Sequence, residues 1–284
     1  MKSLNLIFLT IFFTSACFVA YGAASPASNH DPAPTSYGAT ILDPGLSEAT
    51  APEPPMRAKP EVIEAAVLNA DIEEAVELEM PEAEKPVIAL TFDDGPSRQI
   101  TPQIVEVLEE YGAKATFCVV GNRLQKNMDI GELIFESGSE LIGHSWDHSY
   151  LTKLGTSSVE KQLLDTSALI EEITGAVPVF HRPPYGAVNS RVRNVSEGLG
   201  MSLLMWSVDP KDWKTRDAEI TYEHILENVT EGCIILCHDL YESTLELVKM
   251  LVPELLDRGY RLVTISELFS ETEIVPGKVY TSVK

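Results

Sequence analysis

From Pro86 onward, short apolar, β-rich runs alternate with helically periodic ones, and this alternation restricts the fold more than any other feature of the chain. The strand-like runs are Val87–Phe92, Ala115–Val120, Glu140–Gly143, Val179–His181, Ser202–Val208, Cys233–Cys237 and Tyr260–Thr264. Between them the spacing predicts helices over Pro102–Glu110, Ile130–Ser137, Val159–Ile173, from near Ser190 to Gly198, Ile220–Val229 and Leu245–Leu256. Strands joined through helices pair in parallel and are covered by those helices. Seven strand units, one short of a complete eight-unit barrel, predict an α/β fold of the distorted or incomplete (β/α)7 barrel type. A doubly wound open sheet is the alternative. The domain so defined spans 86–270, leaving 271–284 as a C-terminal tail.

Upstream of Pro86 the text is different. Residues 1–24 read as an export signal: Lys2, then the apolar run Leu4–Phe13, then small residues. The run falls short of the roughly 20 apolar residues that span a bilayer. Ala20-Tyr21-Gly22 and Gly22-Ala23-Ala24 offer ordinary cleavage sites, whereas Thr14-Ser15-Ala16-Cys17 resembles a lipobox that would leave Cys17 lipidated. Both routes place the mature protein outside the cytoplasm, secreted or held at a bacterial surface, with the membrane involved only through the signal or a lipid anchor. Residues 25–85 are rich in Pro, Ala, Ser, Thr and acids and form an expected linker, with at most a marginal acidic helix over Glu61–Glu79.

Charge excludes one class of partner. With 43 acidic against 21 basic side chains and a formal net charge of -22, the chain lacks the cations that phosphate backbones require, so nucleic acid is not expected. Such acidity suits neutral or amine-bearing sugars better than polyanions. Of the four cysteines, Cys17 falls in the signal, and Cys118, Cys233 and Cys237 sit in apolar strand runs, where they read as small core residues. The chain is expected to be a monomer.

Five polar clusters each follow the C-terminal end of a predicted strand, the face on which β/α barrels carry their active sites. Thr91-Phe92-Asp93-Asp94-Gly95-Pro96 places two carboxylates at a sharp turn; alone, it would also suit an Asx turn with capping acids. His144-Ser145-Trp146-Asp147-His148 sets two imidazoles at i and i+4, one side of a helical turn. With Asp94 they make a two-nitrogen, one-oxygen set with open positions for water and substrate. Arg182-Pro183-Pro184-Tyr185-Gly186 stiffens the backbone around a cation. Asp209-Pro210-Lys211-Asp212-Trp213 offers a flat apolar wall, and Leu236-Cys237-His238-Asp239 a lone imidazole. Taken singly, the third reads equally as a proline loop with a surface Arg, while the last two read first as a polar turn beside a partly buried Trp and a satisfied core histidine.

Jointly the five clusters resemble carbohydrate esterase family 4, the NodB-like polysaccharide deacetylases, whose patterns TFDDG, H(S/T)xxH, RxPY, DxxDW and LxH occur here complete and in order. The resemblance spans roughly residues 86–270. It implies that Asp94, His144 and His148 hold a divalent metal, with zinc preferred and cobalt, nickel or iron acceptable to the same donors. It further implies Asp93 as general base, the Tyr185 backbone N–H as oxyanion donor and His238 as general acid. Asp212 would orient His238, Arg182 would pair with Asp93, and Trp213 and Leu236 would wall the acetyl pocket. His181 matches no shared role and reads as structural. The implied activity is deacetylation of N-acetylglucosamine units in a cell-wall polysaccharide, with peptidoglycan preferred over chitin oligosaccharide. The same scaffold would also serve an acetylxylan esterase, and a non-catalytic glycan-binding protein is the reading from another class.

Overall fold

The computed structural model describes residues 85–283. The export signal, the acidic helix over Glu61–Glu79 and all but the last residue of the linker lie outside the described residues. In chain order the elements are β1 (Val87–Asp93), α1 (Thr101–Glu110), β2 (Thr116–Val119), α2 (Gly121–Leu124), α3 (Met128–Glu136) and β3 (Glu140–Gly143). There follow α4 (Thr156–Thr174), β4 (Phe180–His181), α5 (Ser190–Gly198), β5 (Ser202–Leu204), α6 (Asp212–Thr215), α7 (Ala218–Asn228) and β6 (Ile234–His238). The chain ends with α8 (Glu242–Asp257), β7 (Arg261–Leu262), α9 (Ile265–Leu268) and β8 (Val279–Tyr280).

The sheet order is β6-β1-β2-β3-β4-β5-β8, with β7 also pairing β1, and every one of these pairings is parallel. Isolated bridges from Val208 to Ile235 and from Cys233 to Ser282 draw the two ends of the sheet together. The result is the distorted (β/α)7 barrel, not the open doubly wound sheet.

Two-residue periodicity sorts the strand side chains. Ile88, Leu90 and Phe92 join the layer shared with the surrounding helices, while Ala89 belongs to the inner cluster with Cys118, Ile142, Phe180, Leu204 and Ile234. On the inner side of β1, Ala89 is followed by Thr91 and then Asp93, so a strand that begins apolar ends on a carboxylate. The buried thiols of Cys118 and Cys237 are pushed well up by their apolar surroundings and stay neutral.

Two boundaries differ from expectation. The fifth strand ends at Leu204 rather than Val208. Met205 N–H still reaches β8 through the Tyr280 carbonyl (2.7 Å), but Ser207 and Val208 donate instead to Ile234 (3.0 and 3.1 Å), so the chain crosses from one sheet end to the other. The residues set apart as a tail also enter the barrel. Strand β8 pairs with β5, and Tyr280 packs edge-on to Phe180 and Phe269 with centroids at 5.7 and 5.2 Å. A two-residue strand has too little periodicity to announce itself, and only its aromatic plug makes it part of the core.

Candidate active site

Asp93 closes β1, and its carboxylate is almost wholly buried. A buried charge needs a partner, and the fully buried Arg182, just past β4, provides it. Arg182 Nη1 donates to Asp93 Oδ1 at 2.6 Å and to Thr91 Oγ1 at 2.8 Å, while Nη2 donates to the Met205 carbonyl at 3.1 Å. Burial pushes the Asp93 pKa up, but Arg182, with His144 and His238 behind it, outweighs burial and holds the carboxyl below its ordinary value.

Asp94 takes a left-handed backbone (φ 75°), which aims its side chain into the same space as Asp93 rather than to the opposite face. Arg123 Nη1 fixes the turn by donating to the Asp94 carbonyl at 2.8 Å. The Gly95–Pro96 peptide that follows is cis. Asp94 Oδ1 is buried without a hydrogen-bond partner, and facing it are His148 Nε2 at 3.1 Å and His144 Nε2 at 3.5 Å.

The histidines do not share a helical turn, as the i, i+4 spacing predicted. Residues 144–148 form a loop in which Ser145 and His148 are both left-handed (φ 62°), and this reversal brings the rings together, 4.9 Å apart. The loop is held from outside: Gln162 Oε1, on α4, accepts from Trp146 N (2.7 Å) and Asp147 N (3.2 Å). His144 Nδ1 lies 2.7 Å from the Arg182 carbonyl, which can only accept, so Nδ1 carries a proton and Nε2 is turned toward Asp94.

This set fits a divalent cation. The donor atoms of Asp94, His144 and His148 all lie within 4.8 Å of one another. Ligands bound to zinc at about 2.0–2.2 Å are roughly 3.3 Å apart in a tetrahedron, and the carboxylate-to-imidazole spacings bracket that value. The partnerless Asp94 oxygen is the kind of buried atom an ion satisfies. Burial raises the Asp94 pKa, yet the two imidazoles facing it outweigh burial and hold the carboxyl far below its ordinary value, so the carboxylate is ready to ligate.

Across the cavity stands a second charged pair. His238 Nδ1 lies 2.8 Å from Asp212 Oδ1, and Asp212 Oδ2 accepts from His238 N (2.8 Å) and Thr244 Oγ1 (2.9 Å). Burial pulls the imidazole down, but hydrogen bonding to and charge from Asp212, with Asp93 and Asp94 beyond, push it up to about 9. Asp93, Asp94, His144, His148, Tyr185, Trp213, Leu236 and His238 line one cavity of about 370 Å³, and Arg182 and Asp212 stand behind it. All ten residues singled out from the sequence thus converge on one place.

Tyr185 is held left-handed (φ 60°) between Pro184 and Gly186, and its hydroxyl meets His148 Nδ1 at 3.2 Å. His181 is buried against Ser196 Oγ (2.7 Å), and burial lowers it to about 3, so it stays neutral.

Several participants were missed. Trp206, Asp209 and Tyr241 also line the cavity, and Thr91 and Thr244 complete the buried pairs. Asp239, next to His238, accepts from Thr101 Oγ1 and fills the space beside Gly95 that any Cβ there would need. Burial raises Asp239 to about 7. Its adjacency to His238 was a signal; Thr244, on the following helix, offered none.

A family model described as polysaccharide deacetylase matches residues 81–204. The chain is 41% identical over 193 residues to the peptidoglycan-N-acetylglucosamine deacetylase PgdA of Listeria monocytogenes, covering 68% of this chain and 41% of that protein. It therefore spans only about two fifths of the length of that relative. A peptidoglycan-N-acetylglucosamine deacetylase of Bacillus cereus is 35% identical over 195 residues, covering 67% of this chain and 91% of its own length. The solved structure of the peptidoglycan deacetylase PdaC from Bacillus subtilis superposes with a TM-score of 0.63 at 38% identity, over 66% of this chain and 91% of that one. On these similarities, with the five motifs gathered at one cavity of a (β/α)7 barrel, the chain belongs to the polysaccharide deacetylase family.

Proposed function

We propose that the protein hydrolyses N-acetyl groups from N-acetylglucosamine units of a cell-wall polysaccharide, peptidoglycan, and releases acetate. The observation that carries this reading is the pairing of two oppositely tuned groups, Asp93 and His238, in one cavity beside the Asp94–His144–His148 set. Similarity to relatives named as peptidoglycan deacetylases supports the choice of polymer.

Asp94, His144 and His148 would hold a divalent ion, preferably zinc, which supplies Lewis acidity and lowers the pKa of water at the site. Asp93, kept ionised by Arg182, accepts the proton of the attacking water as its oxygen bonds to the acetyl carbon. The Tyr185 backbone N–H stabilises the oxyanion that results; loss of one such donor typically costs about 10²–10³ in rate. His238, held protonated by Asp212, gives its proton to the sugar nitrogen as the C–N bond breaks, because an amine anion is too poor a leaving group. Acetate and a free amine leave. Trp213 and Leu236 wall the pocket for the methyl group.

The reading extends to export and monomeric action at the bacterial surface, supported by the signal-like residues 1–24 and the Pro-rich stretch behind them. Acetate release from peptidoglycan and from chitin oligomers, followed with and without a chelator, tests the activity. We expect release that a chelator abolishes and zinc restores. Release from acetylxylan alone would replace the amide substrate by an ester.

A further inference from the structure

The chain carries a formal net charge of -22, yet each rim of the cleft ends on a cation that pairs with no carboxylate among the described residues. On one rim, Tyr150 stacks on the cavity-lining Tyr185 with centroids 3.8 Å apart and planes 12° apart, and Lys153 Nζ lies over Tyr150 at 4.2 Å. Tyr185 covers one face of Tyr150, so the ammonium takes the other, and the stack runs outward from His148 as ring, ring and cation. On the opposite rim the Arg216 guanidinium lies 4.0 Å over Tyr241, another ring of the cavity wall, and Nε donates to the Trp213 carbonyl at 3.3 Å.

Among the described residues, Arg98, Lys114, Lys161, Lys249 and Arg258 on the surface pair with carboxylates; Lys153 and Arg216 do not, and unlike other such cations, for example Lys126 and Lys214, they are held on aromatic rings beside the cleft. An aromatic face holds a cation in place without cancelling its charge. In a chain whose acids outnumber its bases two to one, these are positions where an incoming anion is favoured. Overall acidity argues for a neutral sugar; the rims argue for a neutral sugar flanked by acidic ones.

We infer that Lys153 and Arg216 form a two-sided clamp for carboxylates carried by the sugars on either side of the residue being deacetylated. The inference rests on the deacetylase reading and narrows its substrate to an N-acetylated glycan bearing acid groups. Peptidoglycan meets this geometry, since each N-acetylglucosamine lies between two sugars bearing lactyl ethers. Each lactyl group ends in a carboxylate or continues into a peptide that carries carboxylates. Chitin has neither.

The test uses the full, zinc-loaded protein and its Lys153→Gln, Arg216→Gln and double variants. Acetate release is measured on peptidoglycan oligosaccharides with free lactyl carboxylates, on the same glycans with stem peptides, and on a chitin tetramer. The ratio of kcat/KM on acidic glycan to that on chitin should fall about threefold in each single variant and about tenfold in the double, the size expected of exposed charge pairs. The loss should lie in KM, and added salt should erode the wild-type preference. Whichever acidic glycan shows the drop identifies the carboxylate as lactyl or peptide. An unchanged ratio in the double variant, or a wild-type preference indifferent to salt, overturns the clamp. If the wild type releases acetate from no glycan, the deacetylase reading falls, and the clamp is judged by equilibrium binding. It stands if the double variant loses affinity for acidic glycans alone, and falls if its affinity matches the wild type.

Discussion

The two walls of the cleft solve opposite problems with the same device. On the β1 and β4 side, a buried carboxylate, Asp93, is kept ionised by a permanently charged guanidinium. On the β6 side, a part-buried imidazole, His238, is kept protonated by a carboxylate. Burial opposes the charge in both cases, and in both a hydrogen-bonded counter-charge overcomes it. Asp239 is the control within the same molecule. Equally buried, it is bonded by the Thr101 hydroxyl but by no cationic side chain; the charge of neighbouring His238 does not offset burial and the charge of Asp94, and its pKa rises to about 7 instead of falling. Depth does not decide the ionisation of these groups. The partner does, and pushing two groups apart in this way yields a base and an acid that coexist at neutral pH.

The contrast is broken most forcefully at Asp93. Asp93→Asn keeps the shape and the metal donors but removes the proton acceptor, so turnover should fall by about 10³–10⁴ with metal content unchanged by elemental analysis. Appreciable residual turnover would remove Asp93 as base. The acid wall should matter less, and selectively. His238→Ala is expected to cost about 10²–10³ on N-acetyl substrates, but far less on acetate esters with good leaving groups. Equal losses on both would refute the proton donor.

A subtler probe leaves both groups in place and weakens the counter-charge. In the wild type, His238 loses its proton near pH 9, so the rate should decline above about that value. Asp212→Asn should move this alkaline limb down toward the ordinary histidine range. The linkage has a definite sign. A histidine raised in the folded state contributes stability that is complete below about pH 6.5 and gone once the pH has passed about 9. Asp212→Asn should therefore lower the melting temperature relative to wild type most at acidic pH, with a gap that narrows toward pH 9. The smallest effect is expected at Thr244→Val, which removes one of three hydrogen bonds to the Asp212 carboxylate. A single such bond contributes about 1 kcal/mol, so the rate should fall less than about tenfold.

The metal side differs from the acid wall in where its backbone strain falls. Asp94 and His148 are themselves left-handed, as are Ser145 and Tyr185 beside them, whereas on the acid wall the left-handed residues, Lys211 and Arg216, flank the helix of Asp212 and the working side chains stand on ordinary backbone. The strain converts a loop into a ligand set, which is why the helical reading of the His-x3-His spacing was wrong in geometry while the pairing of the two rings with Asp94 was right. The i, i+4 separation was legible in the sequence. The reversal at Ser145 was not, because it depends on α4 holding the loop amides through Gln162.

What the sequence determined alone was whatever repeats locally. Periods of two and of about three and a half placed the strands and helices near their true bounds, and the polar clusters after five of the strands named the site. Tertiary structure decided what depends on distant partners. It moved the end of β5 from Val208 to Leu204, carried Tyr280 from an apparent tail into the barrel, and brought Thr244 and Tyr241 to the cleft. It also set the opposite charge states of Asp93 and Asp239. Local pattern reflects solvent on one face of an element, whereas ionisation and closure reflect which groups the fold brings within a few ångströms, and no single stretch of chain records that.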